Sequence, residues 1–329
     1  MLLIRWAVGI LLLLLAVSTH AAMSRPDTGD GKATVVQTFG AILDVDKIDS
    51  AEQNFTLNLY ILFRWSDTRL AHAEEGVVIR NLSEIWSPRL TIMNTQRLWA
   101  NTKDKVEISP AGEVTYRLHV FGDFSQPLDL HDFPHDKHVF EVPLVAAGYR
   151  PGEVVFLPSP DIDSFIAEKL SVADWEITGM QGVSRTVSLE NGIELPGFVF
   201  SFEAKRLIHH YIVKAIIPLM LIVMMSWLVF WIDPEQVSNQ LSVAVTTVLT
   251  LIAYHIALSG RLPQIPYLTQ MDKFLFSSTI LVFLSLIEVV ITSHLSSTKR
   301  IDLGRRIDRT ARWLFPVLFI FAFSGSFIF

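Results

Sequence analysis

Phe55-Thr56-Leu57-Asn58-Leu59-Tyr60-Ile61-Leu62-Phe63-Arg64-Trp65 carries an apolar side chain at every odd position. That period of two is the signature of an extended strand with one face in a core, and it leaves Tyr60 on the opposite face. Val114-Thr115-Tyr116-Arg117-Leu118-His119-Val120 and Phe198-Val199-Phe200-Ser201-Phe202-Glu203-Ala204 repeat the pattern, with Gly, Pro, Asn and Asp between such segments. Several strands within about 170 residues predict a β-sandwich or barrel.

Beyond Ile208 the texture changes to four long apolar stretches: Ile212 to Ile232, Leu241 to Leu258, Phe274 to Ile291 and Trp313 to Phe329. Each approaches the roughly 20 residues that cross a bilayer as a helix. The joint from Ser296 to Arg312 holds Lys299, Arg300, Arg305, Arg306, Arg309 and Arg312 against Asp302 and Asp308. The positive-inside rule places it in the cytoplasm, so four spans put the β domain and the carboxyl end outside. Toward the other end, Arg5, the apolar run Ala7 to Val17 and the small residues of Thr19-His20-Ala21-Ala22 read as a secretory signal. The expected division is a signal peptide at 1–22, an extracellular β-sandwich at 23–206 and a transmembrane four-helix domain at 207–329.

Half of the 329 residues are hydrophobic, 18% are charged, and none is cysteine. Residues 23–206 hold 27 of the 33 acids and 17 of the 27 bases. A surface that acidic argues against nucleic acid as a partner, because neutralising phosphates needs bases. The lack of cysteine excludes disulfides, thiolate metal sites and a cysteine nucleophile. No paired carboxylates, metal-ligand spacing or nucleophile motif stands out, so no enzyme, metal or cofactor is expected.

The second apolar stretch is the most polar of the four, with Ser242, Thr246, Thr247, Thr250 and His255. Ser242, Thr246, Leu249, Ala253 and Ile256 step by four, three, four and three residues and fall on one helical stripe. Such a stripe is either a polar seam between packed helices or the wall of a pore, in which hydroxyls face water and a ring of Leu249 closes the path by dewetting. One stripe encloses nothing, so the pore reading requires an oligomer.

Leu128-Asp129-Leu130-His131-Asp132-Phe133-Pro134-His135-Asp136 resembles the signature loop of the pentameric ligand-gated ion channels, the Cys-loop receptor superfamily, with its Phe-Pro-x-Asp core. Gln126 and Phe140 stand where animal members carry bridging cysteines, as in bacterial members. Tyr60 to Asp67, Ile85-Trp86-Ser87-Pro88, the spacing of Arg206, Tyr211 and Pro218, and Leu262-Pro263-Gln264-Ile265-Pro266-Tyr267 resemble further family segments in the same order. The resemblance runs from about Val35 to Phe329. It implies an all-β, immunoglobulin-like extracellular sandwich followed by an all-α four-helix transmembrane domain, assembled as a homopentamer.

The resemblance also implies site residues. Phe133, Pro134, Asp136, Arg206 and Pro263 become candidates for coupling the sandwich to the membrane helices, with Asp136 paired to Arg206 in a role both structural and transmissive. Tyr60 matches the complementary-side aromatic of an agonist site that holds a cation against ring faces. Met93, Tyr149 and Phe198 are the approximate principal-side positions, an incomplete box that argues against a simple amine. Tyr60 also reads plainly as an outward-facing strand residue. His131, His135, His138, His209 and His210 cluster in two segments expected at the junction between domains; with an ordinary pKa of about 6.5 they form either a pH sensor or a polar interfacial belt. Lys214 is expected to snorkel to headgroups, and Glu288 to contact a neighbouring helix.

Asp233, Glu235 and Ser238 precede the second span, and two acids without a base in a narrow mouth favour cations. The expected protein is a ligand- or pH-gated channel for monovalent cations in a bacterial inner membrane, opened by a small-molecule agonist or protons, with its β domain in the periplasm. The rival reading is a non-conducting membrane sensor with a periplasmic binding domain, which calls for a sizeable cytoplasmic surface.

Overall fold

The computed structural model describes residues 24–26, 31–101, 104–259 and 265–327. They form two compact units. The first holds the described residues up to Asp49 with Gln53–Pro127 and His138–Ala204; the second holds Ser50–Glu52, Leu128–Lys137 and the chain from Lys205 onward.

The β unit is a sandwich of an eight-stranded and a four-stranded sheet with a small two-stranded ribbon. Asn54–Ser66 lies centrally in the larger sheet, antiparallel to Thr34–Asp49 on one side and Glu113–Ser125 on the other, with Tyr60 opposite Ala41 and His119. Its burial alternates as the sequence pattern requires: Phe55, Leu57, Leu59, Ile61, Phe63 and Trp65 are buried, and the residues between them are half-buried. Burying each such side chain contributes about 1.5–3 kcal/mol. The smaller sheet runs Trp175–Ser184, Gly197–Arg206, Lys137–Ala146, Leu90–Ile92. The two inner faces meet through aromatic rings, Phe55 lying 4.8 Å from Phe140 and 5.9 Å from Phe202 between centroids. Gly40 permits the close approach, because a Cβ there would meet the Phe200 ring.

Four helices long and apolar enough to cross a membrane follow: α1 (His209–Trp231), α2 (Val237–Ser259), α3 (Gln270–Ser297) and α4 (Ile301–Phe327). In α1 the turn Ile212–Ile216 is widened to a π-helical one that ends two residues before Pro218, whose ring lacks the donor a regular turn needs. The fourth helix departs from expectation. It begins at Ile301, so the basic joint is a three-residue link followed by three helical turns rather than a loop of some fifteen residues. Arg and Asp alternate there at helical spacing, and long basic side chains reach water from a helix end without unwinding it. The expected signal peptide at 1–22 lies outside the described residues.

Candidate functional site

In the helical unit, Arg206 organises a buried cluster. Its Nε and Nη2 donate to Asp136 Oδ1 and Oδ2 at 2.7 and 2.9 Å, a bidentate fork. Nη2 also donates to Ser50 Oγ at 2.6 Å, and Nη1 to Tyr211 Oη at 3.3 Å. The guanidinium lies 4.9 Å from the Phe133 ring centroid, and Phe133 meets Tyr211 edge to face at 5.1 Å. Only about 2% of either side chain of the Arg206–Asp136 pair is exposed. Burial opposes the charge of Arg206, but hydrogen bonding to Asp136, its negative charge and Tyr211 together raise the guanidinium pKa. Asp136, Arg206 and Phe133, which the resemblance set side by side, are thus in contact.

The same loop caps α3. The backbone N–H groups of Gln270 and Met271, which have no partner inside a helix, donate to the carbonyls of His131 and Phe133 at 3.0 and 3.2 Å. Gln270 Nε2 donates to Asp132 Oδ1 at 3.0 Å. Tyr267 Oη accepts from the Leu130 N–H at 2.9 Å and donates to the Leu128 carbonyl at 3.2 Å. Thr269 and Asp272 complete the cap with a reciprocal capping box. Tyr267 and Gln270 were absent from the sequence-based coupling set, although Tyr267 closes the Leu262–Tyr267 segment that drew attention. Pro263, which belonged to that set, lies outside the described residues, and Pro134 is buried in the loop, joined to Phe133 by a cis peptide bond.

The five histidines differ in their surroundings. His131 stacks on Tyr267, centroids 4.1 Å apart, with Nδ1 2.6 Å from Asp129 Oδ1. His135 is exposed. His138 belongs to the β unit, beside Phe140 and Trp175. His209 and His210 are exposed at the start of α1, with His210 edge-on to Tyr211.

On α2, Ser242, Thr246, Leu249, Ala253 and Ile256 are all exposed, Leu249 at 61% and Ile256 at 71%. Ala244, Thr247, Leu251 and Leu258 form the buried face. Tyr254 Oη donates to the Ala215 carbonyl of α1 at 2.7 Å, and His255 Nε2 lies 3.1 Å from Thr279 Oγ1 of α3. These bonds hold the opposite side of the helix against its neighbours. Thr246 donates its hydroxyl proton to the Ser242 carbonyl at 2.7 Å, so the exposed oxygen acts as an acceptor.

Before α2, the structure corrects one premise. Asp233 and Glu235 are not free of bases, because Arg305 of α4 places Nη2 3.3 Å from Asp233 and 2.9 Å from Glu235. Helix packing brings together charges 70 or more positions apart in the chain. All three side chains are about half exposed, so the pairing contributes no more than about 1 kcal/mol, yet it reduces the local charge to one net acid. Ser238 is exposed in the first turn of α2.

In the β unit, Tyr60 shares a sheet face with Asn58, Arg117 and His119. His119 Nε2 is 2.7 Å from Asn58 Oδ1, Tyr60 and His119 are 6.5 Å apart between centroids, and Arg117 contacts Tyr60 and Glu107. Tyr149 instead accepts a hydrogen bond from Trp86 Nε1 at 2.8 Å. Met93 is 38% exposed. Phe198 has no exposed surface; it packs between the Phe200 ring and Gly182, which removes it from any ligand-facing set. Period two alone does not say which strand face is inside. A cavity of about 410 Å³ lined by Ser87, Arg89, Asp104, Tyr116 and Leu144 takes in none of the four residues.

The family model described as the neurotransmitter-gated ion-channel ligand binding domain matches residues 11–196, and that of the neurotransmitter-gated ion-channel transmembrane region matches 215–303. Among relatives, the gamma-aminobutyric acid receptor subunit beta-4 of Gallus gallus is 28% identical over 281 residues, 82% of this chain and 57% of the relative. The rho-2 subunits of Homo sapiens and Bos taurus are 26% and 25% identical over 315 residues, 93% of this chain and 66% of theirs. The chain thus spans less than two thirds of the length of these relatives.

Proposed function

We propose that this chain, which belongs to the neurotransmitter-gated ion-channel family, assembles as a homopentameric ligand-gated channel whose α2 helices line the pore. One observation carries the reading: the Ser242-to-Ile256 stripe of α2, with its two hydroxyls, is exposed along its whole length, opposite the face that Ala244, Thr247 and Leu251 bury. Hydroxyls left facing lipid would be costly, whereas around a shared axis they face water. The sensor alternative loses its footing where the cytoplasmic joint shrinks to a three-residue link.

The division into a signal peptide at 1–22, an extracellular domain at 23–206 and a membrane domain at 207–329 belongs to this proposal, as does a bacterial inner membrane. The relatives' names make γ-aminobutyrate the first compound to test, and a face with Tyr60, Arg117 and His119 offers both a ring for an ammonium and a cation for a carboxylate. If protons are the trigger, His131 is the histidine best placed to act, since its ring clamps Tyr267 and pairs with Asp129. The expected result is a flattened pH–current curve in His131→Gln and an unchanged one in the exposed His135→Gln. Identical curves in all three proteins would remove histidine from the trigger.

Cation preference is the finer part of the proposal, supported by the one net acid of Asp233, Glu235 and Arg305 and by the acceptor oxygens of the stripe. Reversal potentials in dilute salt test it. Arg305→Gln unmasks two carboxylates and should strengthen cation preference, and Asp233→Asn with Glu235→Gln should weaken it. A wild-type reversal potential on the anion side would overturn this part alone.

A further inference from the structure

The helical unit buries a group of oxygen acceptors that the pore, the coupling cluster and the lipid-facing surface leave without a role. Glu288 of α3 and Asp308 of α4 face each other, and the Gln240 side chain of α2 lies against Asp308. Both carboxylate oxygens of each acid, together with the Gln240 amide oxygen, are buried without a hydrogen-bond partner among the described residues. Asp308 and Gln240 have no exposed surface at all. One Nε2–H of Gln240 donates to the Ile232 carbonyl at 2.9 Å, which leaves a single amide N–H toward Asp308. Three helices therefore deliver five acceptors to one place, against one amide N–H of Gln240.

The surrounding charges do not resolve this. Arg312 of α4 attracts Asp308, but its Nε donates to the Phe230 carbonyl at 2.8 Å and its guanidinium lies 5.5 Å from the Trp231 ring centroid. Arg305 is engaged by Asp233 and Glu235, and Asp233 repels Asp308. Two carboxylates in contact at a site closed to water cannot both stay ionised, and a charge left unpaired there is strongly unfavourable. Among the described residues no group of three or more His, Cys, Asp and Glu side chains is placed to hold a metal ion. A proton is the remaining candidate, since it converts one acceptor into a donor between the two carboxyls, where the Gln240 amide supplies none.

We infer that Glu288 and Asp308 form a proton-binding site in the half of the helical unit that carries the basic turns of α4. One proton, taken from water at that end, sits on one carboxyl and is donated to the facing carboxylate; the single remaining negative charge is balanced by Arg312. Losing the proton sets two like charges against each other between α3 and α4. Gln240 passes that strain to the first turn of α2, so the pH on this side of the membrane sets how firmly the pore helix is held. The site stands apart from whatever ligand opens the channel.

Infrared spectroscopy of the reconstituted full-length protein tests this without requiring current. The C=O stretch of a protonated carboxyl is expected in the wild type at neutral pH, fading as the pH is raised. It should be missing from Glu288→Gln with Asp308→Asn, a pair of changes that keeps shape and leaves no carboxyl to protonate. A wild-type spectrum without that band at neutral pH overturns the inference, as does a band that persists undiminished in the double variant. If the double variant does not assemble, the wild-type titration decides alone. In excised patches, alkaline solution on the face bearing Arg305 and Arg309 should alter wild-type activity and leave the double variant unaffected. A wild type that never conducts counts against the proposed channel and leaves the infrared result standing.

Discussion

Arg206→Ala is expected to yield little or no assembled protein in the membrane. The change strips Asp136 of both charge-assisted hydrogen bonds while its carboxylate stays buried, and Ser50 and Tyr211 lose their shared donor. Breaking a buried pair in this way costs about 3–5 kcal/mol, against a typical total stability of about 5–15 kcal/mol. Oligomer yield by size exclusion and current by voltage clamp report the two consequences. Replacing both partners with apolar residues, Arg206→Met with Asp136→Leu, should restore much of the yield, since no lone charge remains. If the pair also transmits gating, the assembled double variant will still conduct poorly. Normal currents from Arg206→Ala would dismiss both roles.

Leu249→Ala should open the channel more easily. Leu249 is 61% exposed at the middle of the stripe, with the hydroxyls of Ser242 and Thr246 toward one end and Ala253 and Ile256 toward the other. In a pentamer its side chains converge on the axis, where an apolar ring excludes water and holds the pore shut. Alanine widens and wets that ring, destabilising the closed state more than the open one, which is all that gating responds to. A tenfold drop in half-activating agonist, equivalent to about 1.4 kcal/mol, or current without agonist is the expected reading. An unaltered dose–response curve would place the gate elsewhere. Because Leu249 is 61% exposed within its own chain, a loss of folding is not the anticipated effect.

Elements with a short repeat were legible from residue order. The alternation of residues 55–65 became a strand buried at every odd position, and the four apolar stretches became four helices with ends displaced by a few residues, except for α4. The α2 stripe emerged intact, because spacings of three and four residues fix a helical face whatever surrounds it. Phe198 shows the limit of that reasoning, since the period does not say which face lies inside and Phe198 packs beside Phe200 with no exposed surface.

The resemblance named Asp136 and Arg206, and the fold brought them within 2.7 Å across 70 positions. It was silent on Tyr267 and Gln270, whose roles depend on where the loop meets the first turn of α3. Nor did residue order disclose that Arg305 reaches Asp233 and Glu235, or that Glu288, Asp308 and Gln240 converge. What the sequence by itself determined was the class of each segment, a strand sandwich followed by four spans, because periodicity and apolar length are local properties set by backbone geometry and solvent. Only the tertiary structure decided which charges and acceptors are neighbours. Those pairings depend on helix packing and loop docking, and burial then turns an ordinary arginine or carboxylate into a group that must find its partner.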